Sequence, residues 1–167
     1  CLILGLRKRV DGLRQLARRQ AEVENLHAGV ERTVAERLAA GVLLLIDYGF
    51  PRHEFYHAQR VRGTLMCHYR QRAHADPLIL VGLQDLTAHI DFTAVAEAAH
   101  GAGFDILGYT SQGQFLLASG IAELANIADP KTRLTRTQEI KKLTLPHEMG
   151  ELFKVFAAGR GVDCVLP

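Results

Sequence analysis

Residues 42–48, VLLLIDY, constrain the fold of this chain more than any other stretch. The apolar run Val42-Leu43-Leu44-Leu45-Ile46 is continuous, whereas a half-exposed strand alternates apolar with polar. Continuity predicts an interior strand of a parallel sheet, covered on both faces. The run then ends in Asp47, Tyr48 and Gly49.

The segments around it predict an α/β order. Leu26, Val30, Val34 and Leu38 recur at i, i+4 and predict an amphipathic helix that stops at Gly41. Asp91 predicts the N-cap of a helix over FTAVAEAAH, closed by Gly101 and Gly103. Phe104 to Thr110 reads as a strand. Gln114 to Ala128 predicts a helix packing through Phe115, Leu116, Ile121 and Leu124, and Pro130 opens another that runs to Pro146. Leu152 to Ala158 is a further strand, and Val162 to Leu166 one more. The expected class is therefore α/β with a mostly parallel sheet, in a single partial domain over 1–167. Two or three buried strands make a small sheet, so upstream strands are expected in a longer parent, as is also suggested by the absence of an initiator Met.

Composition narrows the function classes. At 167 residues and 48% apolar, the chain is long enough for one real core. A net charge of +2 does not by itself imply a nucleic-acid partner. No apolar run reaches the ~18 residues of a membrane span. The three cysteines, Cys1, Cys67 and Cys164, form no CxxC pair, which argues for a reducing, cytoplasmic setting over a disulfide framework. The basic stretch 7–20, RKRVDGLRQLARRQ, reads as a solvated helix face.

Residues 50–90 form the chemically richest region, expected as a long loop with a short hairpin through Gly63 to Tyr69. They hold His53, His57, His68, His74 and His89. Within them HEFYH matches the H-E-x-x-H zinc pattern, which works only where a helix sets both imidazoles on one face. Gly49 and Pro51 bar a helix from arriving, Gly63 ends one soon after, and no third ligand is nameable. The match reads as chance, with no metal site expected. HGAGFDILG, residues 100–108, fails as a nucleotide loop because a helix precedes it and a strand follows.

GLQDLTAHIDF, residues 82–92, places Asp85, Thr87, His89 and Asp91 at alternating positions. If extended, all four project from one side and line a cleft able to hold a guanidinium or act as a general base. The local reading stands beside it: Asp91 as an N-cap, Asp85 in a turn, the others bonded to backbone.

Four separated stretches, LLLIDYGFPRHEFYHAQRVRGTLMCHYR, DPLILVGLQDLTAHIDFTAVAEAA, GYTSQGQFLLASGI and PHEMGELFKVFAAGRG, resemble the C-terminal half of the MidA-like family of S-adenosylmethionine-dependent methyltransferases. The resemblance spans residues 41–161 closely and 1–25 poorly. It implies the later part of a class I, Rossmann-like methyltransferase fold with a reversed edge strand, and a loop insertion at 50–90 over the strand ends. It also implies S-adenosylmethionine as cofactor, a protein arginine as substrate, and a link to respiratory complex I assembly, mitochondrial in eukaryotic relatives. The family's glycine loop is absent from this sequence, so no cofactor-binding residue is assigned. The motifs that match carry over Asp85, His89 and Asp47 as catalytic candidates. Tyr48, Gly49, Glu54, Arg62, Thr64, Thr87 and Asp91 become cleft candidates. Two alternatives stand beside this reading: a non-catalytic fragment or interaction module that self-associates through an exposed sheet edge, and, more remotely, a zinc hydrolase.

Overall fold

A computed structural model describes residues 33–60 and 63–167. The basic stretch 7–20, the beginning of the Leu26–Leu38 stripe, Cys1 and Arg62 lie outside the described residues.

The VLLLIDY run forms the long strand β1, Gly41–Phe50, of a four-stranded sheet. Its other members are β5 (Ile90–Asp91), β6 (Asp105–Ser111) and β7 (Phe153–Arg160), in the order β5-β1-β7-β6. β5 pairs parallel to β1, while β7 runs antiparallel to both β1 and β6. Strands β1, β5 and β6 thus point the same way and end at the same margin of the sheet. The reversed strand lies between β1 and β6 and not at an edge, which corrects that detail of the expected topology.

Helix α2 (Phe92–Gly101) follows β5 directly and packs one face of the sheet. Phe92, Val95 and Ala99 recur on one side of the helix and meet Ile90, Phe104, Phe156 and Ala158 in the buried core. The helical residues 33–37 and Leu38 close the same layer, with Val34, Ala35 and Leu38 against the core. Burial of each large apolar side chain there contributes roughly 1.5–3 kcal/mol. Arg160, at the end of β7, ties both helical segments together. Its guanidinium donates to the carbonyls of Ala35, Leu38, Ala102 and Gly103 and lies 4.5 Å from the Phe104 ring centroid. Free carbonyls at helix C-termini attract cations, so a single side chain finishes two helices.

The second face of β1 corrects the expectation of two-sided burial. Val42, Leu44 and Ile46 remain 47%, 44% and 47% exposed. Leu45, on the opposite face, packs against the core, while Val155 and Ala157, the β7 partners of Ile46 and Leu44, are fully buried, so the second face is closed at β7 and open at β1 among the described residues. From Gly41 to Tyr48, β1 pairs with β7 along one edge, while β5 reaches the other edge only at Gly49 and Phe50.

Residues 50–90 hold more regular structure than a loop. The short helix α1 (Arg52–Phe55) opens them, and strands β2 (Met66–Tyr69), β3 (Arg72–His74) and β4 (Asp85–Thr87) build a separate sheet in the order β3-β2-β4. The hairpin turn is at Arg70 and Gln71, both with positive φ, so the hairpin lies further along than Gly63 to Tyr69. The expected helix 114–128 is also broken. Helix α3 ends at Ala118 (Gln112–Ala118), Gly120 turns left-handed at φ 82, and a 3-10 turn follows over Ile121–Ala125. Leu124 is exposed there and packs no core. Helix α4, Pro130–Thr144, forms as its proline predicts, capped by Asp129. Val162 to Leu166 forms no strand; Leu166 N donates to Leu107 O at 3.1 Å.

Candidate active site

The common ends of β1, β5 and β6 gather the aromatic and charged groups that the sequence scatters. Tyr48 and Phe50 are two apart on β1 and therefore share a face. His89, just before β5, lies against both. Its ring meets Tyr48 edge-on at 5.5 Å between centroids and Phe50 at 5.1 Å. Phe153 extends the cluster, 5.4 Å from Tyr48. Thr64 Oγ1 accepts the His89 backbone N–H at 3.1 Å and so ties the inserted segment to the strand ends.

Gly49 makes this arrangement possible. A Cβ there would come within 2.3 Å of the Ile90 carbonyl oxygen and 2.9 Å of Phe92, so only glycine lets β5 approach β1 so closely. Asp47, one residue earlier, accepts the Tyr48 N–H at 2.7 Å.

A guanidinium completes the cluster. Arg60 Cζ lies 4.1 Å over the Phe50 ring centroid. Arg60 Nη1 and His89 Nδ1 are both buried without a hydrogen-bond partner among the described residues. Burial holds the His89 imidazole below its usual pKa, the Arg60 charge pushes the same way, and Asp47 opposes them. Both influences favour the uncharged imidazole, and its Nδ1 faces no hydrogen-bond partner among the described residues.

Asp91 has other partners. Its Oδ1 accepts from Thr93 N and Ala94 N, capping α2, while Oδ2 lies 3.2 Å from Arg52 Nε. Arg52 in turn grips Glu97 with both Nη atoms, at 2.8 and 2.6 Å, and its backbone N–H reaches Thr93 Oγ1. That network fastens α1 to the first turns of α2. Glu97, through its bonds to Arg52, sits below the ordinary carboxylate range.

The four alternating residues of 85–91 therefore do not share one side. Asp85 and Thr87 belong to the small sheet, where Asp85 pairs with His68, and Thr87 Oγ1 lies 3.4 Å from Met66 O and 3.5 Å from His68 Nδ1. His89 and Asp91 belong to the main sheet margin and point to different partners. The chain changes sheets between Thr87 and Ile90, which breaks the period on which the alternation relied. Glu54 projects from α1, with its Oε1 3.6 Å from His53 Nε2. Its charge, after burial, helps push the Tyr109 phenol up to about 12.

α1 ends at Phe55, so only His53 of the HEFYH pair is helical. His57 sits in the turn beyond, where its Nδ1 accepts from Gln59 N. Cys67 is fully buried in β2, and burial raises its thiol pKa.

Sequence reasoning missed Phe50, Phe153, Arg52, Arg60, Glu97 and Tyr109. The aromatics had a signal in their nearness to the strand ends. The Arg52–Glu97 pair, 45 residues apart, had none.

The strand-to-helix junctions bear on cofactor binding. At the start of α2, Asp91 occupies the first free amides, and at the start of α3 the Ser111 side chain accepts from Gln114 N. Neither offers a glycine-lined row of open N–H groups. The described residues do not fit as the cradle of a nucleoside cofactor.

Parallel strands ending at one margin beside a reversed strand, with a polar and aromatic cluster over that margin, define a Rossmann-like α/β protein. The model of a family of S-adenosyl-L-methionine-dependent methyltransferases matches residues 5–110. The chain belongs to that family. It is 32% identical over 136 residues to the protein arginine methyltransferase NDUFAF7 homolog, mitochondrial, of Drosophila melanogaster, covering 77% of this chain and 29% of that relative. Two crystal structures of a Burkholderia thailandensis superfamily protein are 53% identical with a TM-score of 0.79, one native and one bound to S-adenosyl-homocysteine. Each match covers 83% of this chain, but 38% and 37% of the solved chains. The chain thus spans under a third of the curated relative and under two-fifths of the solved structures. No helix among the described residues is long and apolar enough to cross a membrane.

Proposed function

We propose that this chain forms the substrate-facing part of an S-adenosylmethionine-dependent methyltransferase whose target is a protein arginine. The observation that carries this reading is the guanidinium of Arg60 lying on Phe50, whose ring also meets that of His89. A flat cation lies there on the face of Phe50 and not against a carboxylate pair, an arrangement that leaves Nη1 without a hydrogen bond among the described residues. The Drosophila relative's name supports arginine as the methylated group.

In this reading Phe50 and Tyr48 orient the guanidinium, Asp47 supplies the negative field near it, and His89 Nδ1 takes the proton that the methylated nitrogen loses. Such chemistry depends on alignment more than on covalent help. Asp85, Thr87 and Asp91 then serve the scaffold, while Glu54 lies at the rim of the cleft. The methyl donor binds through residues other than those described here. The scattered cysteines support a reducing, cytoplasmic setting, and the family resemblance supports a role in respiratory complex I assembly, mitochondrial in eukaryotic relatives.

The test supplies the full-length protein carrying this chain with labelled methyl donor and arginine peptides, comparing wild type with His89→Ala and Asp47→Asn. A loss of turnover of roughly 100-fold or more in His89→Ala is expected for a positioned base. Unchanged turnover in both variants would remove this cluster from the chemistry.

A second reading is favoured by the edge of β1 that no described residue pairs from Gly41 to Tyr48 and by its apolar side chains Val42, Leu44 and Ile46. Here the chain has no catalysis of its own and associates through that edge. Sedimentation of this chain over a range of concentrations tests it: a monomer at every concentration counts against the second reading.

A further inference from the structure

Arg60 differs from the other arginines whose contacts are described around the core. Arg52 is saturated by Asp91 and Glu97, and Arg160 by four backbone carbonyls. Arg60 makes no ion pair or side-chain hydrogen bond among the described residues, yet its Nη1 is buried. A buried charged nitrogen without a partner is costly and persists only where something else retains it. Among the described residues, what lies against the Arg60 guanidinium is the face of Phe50, 4.1 Å away, in the cluster formed with His89 and Tyr48.

The backbone around it is a local turn. Arg60 N donates to His57 O, Gly63 N donates to Arg60 O, and Gly63 itself has φ 68. These bonds use the backbone of Arg60 and not its side chain, so a change of side-chain rotamer breaks neither α1 nor β1.

We propose that Arg60 is an internal plug: its side chain fills a guanidinium-binding pocket made by Phe50, His89 and Tyr48, and leaves when an arginine from another protein enters. The ligand class is a monosubstituted guanidinium. The plug rests on the arginine reading above for the identity of the visitor, but the pocket's preference for guanidinium stands apart from any methyl transfer. A plug of this kind lowers apparent affinity by the fraction of time the pocket is open. It keeps the pocket dry and shaped in the absence of substrate. It also predicts that removing the plug strengthens binding, the reverse of what loss of an ordinary structural arginine does.

The probe is N-acetyl-arginine methylamide, added to the protein without methyl donor and followed by NMR at the His89, Phe50 and Tyr48 rings. The expected result is roughly 10–100-fold tighter binding to Arg60→Ala than to wild type, for a pocket open in the range of 1–10% of molecules. The double variant Arg60→Ala/Phe50→Ala should lose that gain, and the lysine analogue should not bind as tightly. Where Arg60→Ala does not fold, Arg60→Gln keeps part of the stem and removes the charge. Equal binding to wild type and plug-less variant overturns the proposal, as does no binding to a folded variant with native ring shifts. If the variant captures guanidinium while the full-length enzyme methylates another group, the substrate reading fails and the plug survives. If guanidinium capture fails while arginine methylation proceeds, the plug alone is lost.

Discussion

Arg52 precedes Asp91 by 39 residues, and its Nε lies 3.2 Å from the Asp91 Oδ2. Asp91 is the buried member, its other oxygen capping two amides of α2, while Arg52 and Glu97 face solvent. The carboxylate therefore acts at two junctions, the start of α2 and the seat of α1. Asp91→Ala should lower stability by about 1–2 kcal/mol through the lost cap alone, and more if Arg52 finds no new acceptor. Glu97→Gln should cost clearly less, because an exposed ion pair is weakened by solvent and salt. Urea midpoints of the two variants at low and high salt check the order. A Glu97 effect equal to that of Asp91 would contradict it.

Gly49→Ala tests how closely β5 must approach β1. The added methyl would collide with the Ile90 backbone and the Phe92 ring, neither of which is a flexible chain end. A cost of about 1–3 kcal/mol is expected from overpacking. The Tyr48–His89 contact should loosen with it, which near-ultraviolet circular dichroism reads separately from global stability. Gly101→Ala is the control, since nothing lies within 4 Å of a Cβ there.

Much of the fold was legible because its signals are local. The Asp91 cap, the Gly103 stop with φ 86 and the proline that opens α4 each act within one turn of their own residue. What escaped depends on distant partners. The run Val42 to Ile46 has the composition of a two-sided core strand, but composition does not say whether both covers are at hand. The alternation of Asp85, Thr87, His89 and Asp91 presumes one straight strand, and the chain instead passes from one sheet to another between Thr87 and Ile90. The catalytic candidates Asp47 and His89 and the cleft candidates Tyr48 and Thr64 lie at one margin of the sheet, their roles resting on the motifs alone. Arg60 gave no sign, since a lone arginine in a loop is almost always a solvated one.

Tyr109 offers a probe of the strand margin from the β6 side. Burial is the main cause that pushes its phenol up to about 12, with Glu54 and Glu151 adding to it. Spectroscopic titration should show one tyrosine ionising later than the ordinary value near 10. The sign for stability follows. Between about pH 10 and 12 the unfolded chain has released a proton that the folded chain keeps, so stability falls as pH rises. Glu54→Gln should move the late tyrosine part of the way back, and Tyr109→Phe should remove it from the titration.

His89 carries the opposite sign at the other end of the scale. Its folded pKa lies below the ordinary value of about 6.5, through burial first and the Arg60 charge second. Below that value the unfolded chain binds a proton that the folded chain refuses. Stability therefore rises with pH across the window, and is lost as pH falls from about 6.5 toward the folded midpoint. NMR titration of the His89 ring should place its midpoint below those of histidines on the exposed surface. Arg60→Ala removes one of the two lowering influences and leaves Asp47, so the midpoint should move up in that variant. His89→Gln should flatten the urea midpoint between pH 7.5 and 5.5 relative to wild type. A His89 midpoint at or above the ordinary value would mean that the imidazole is solvated, and neither the proposed base nor the half-buried aromatic pocket would stand.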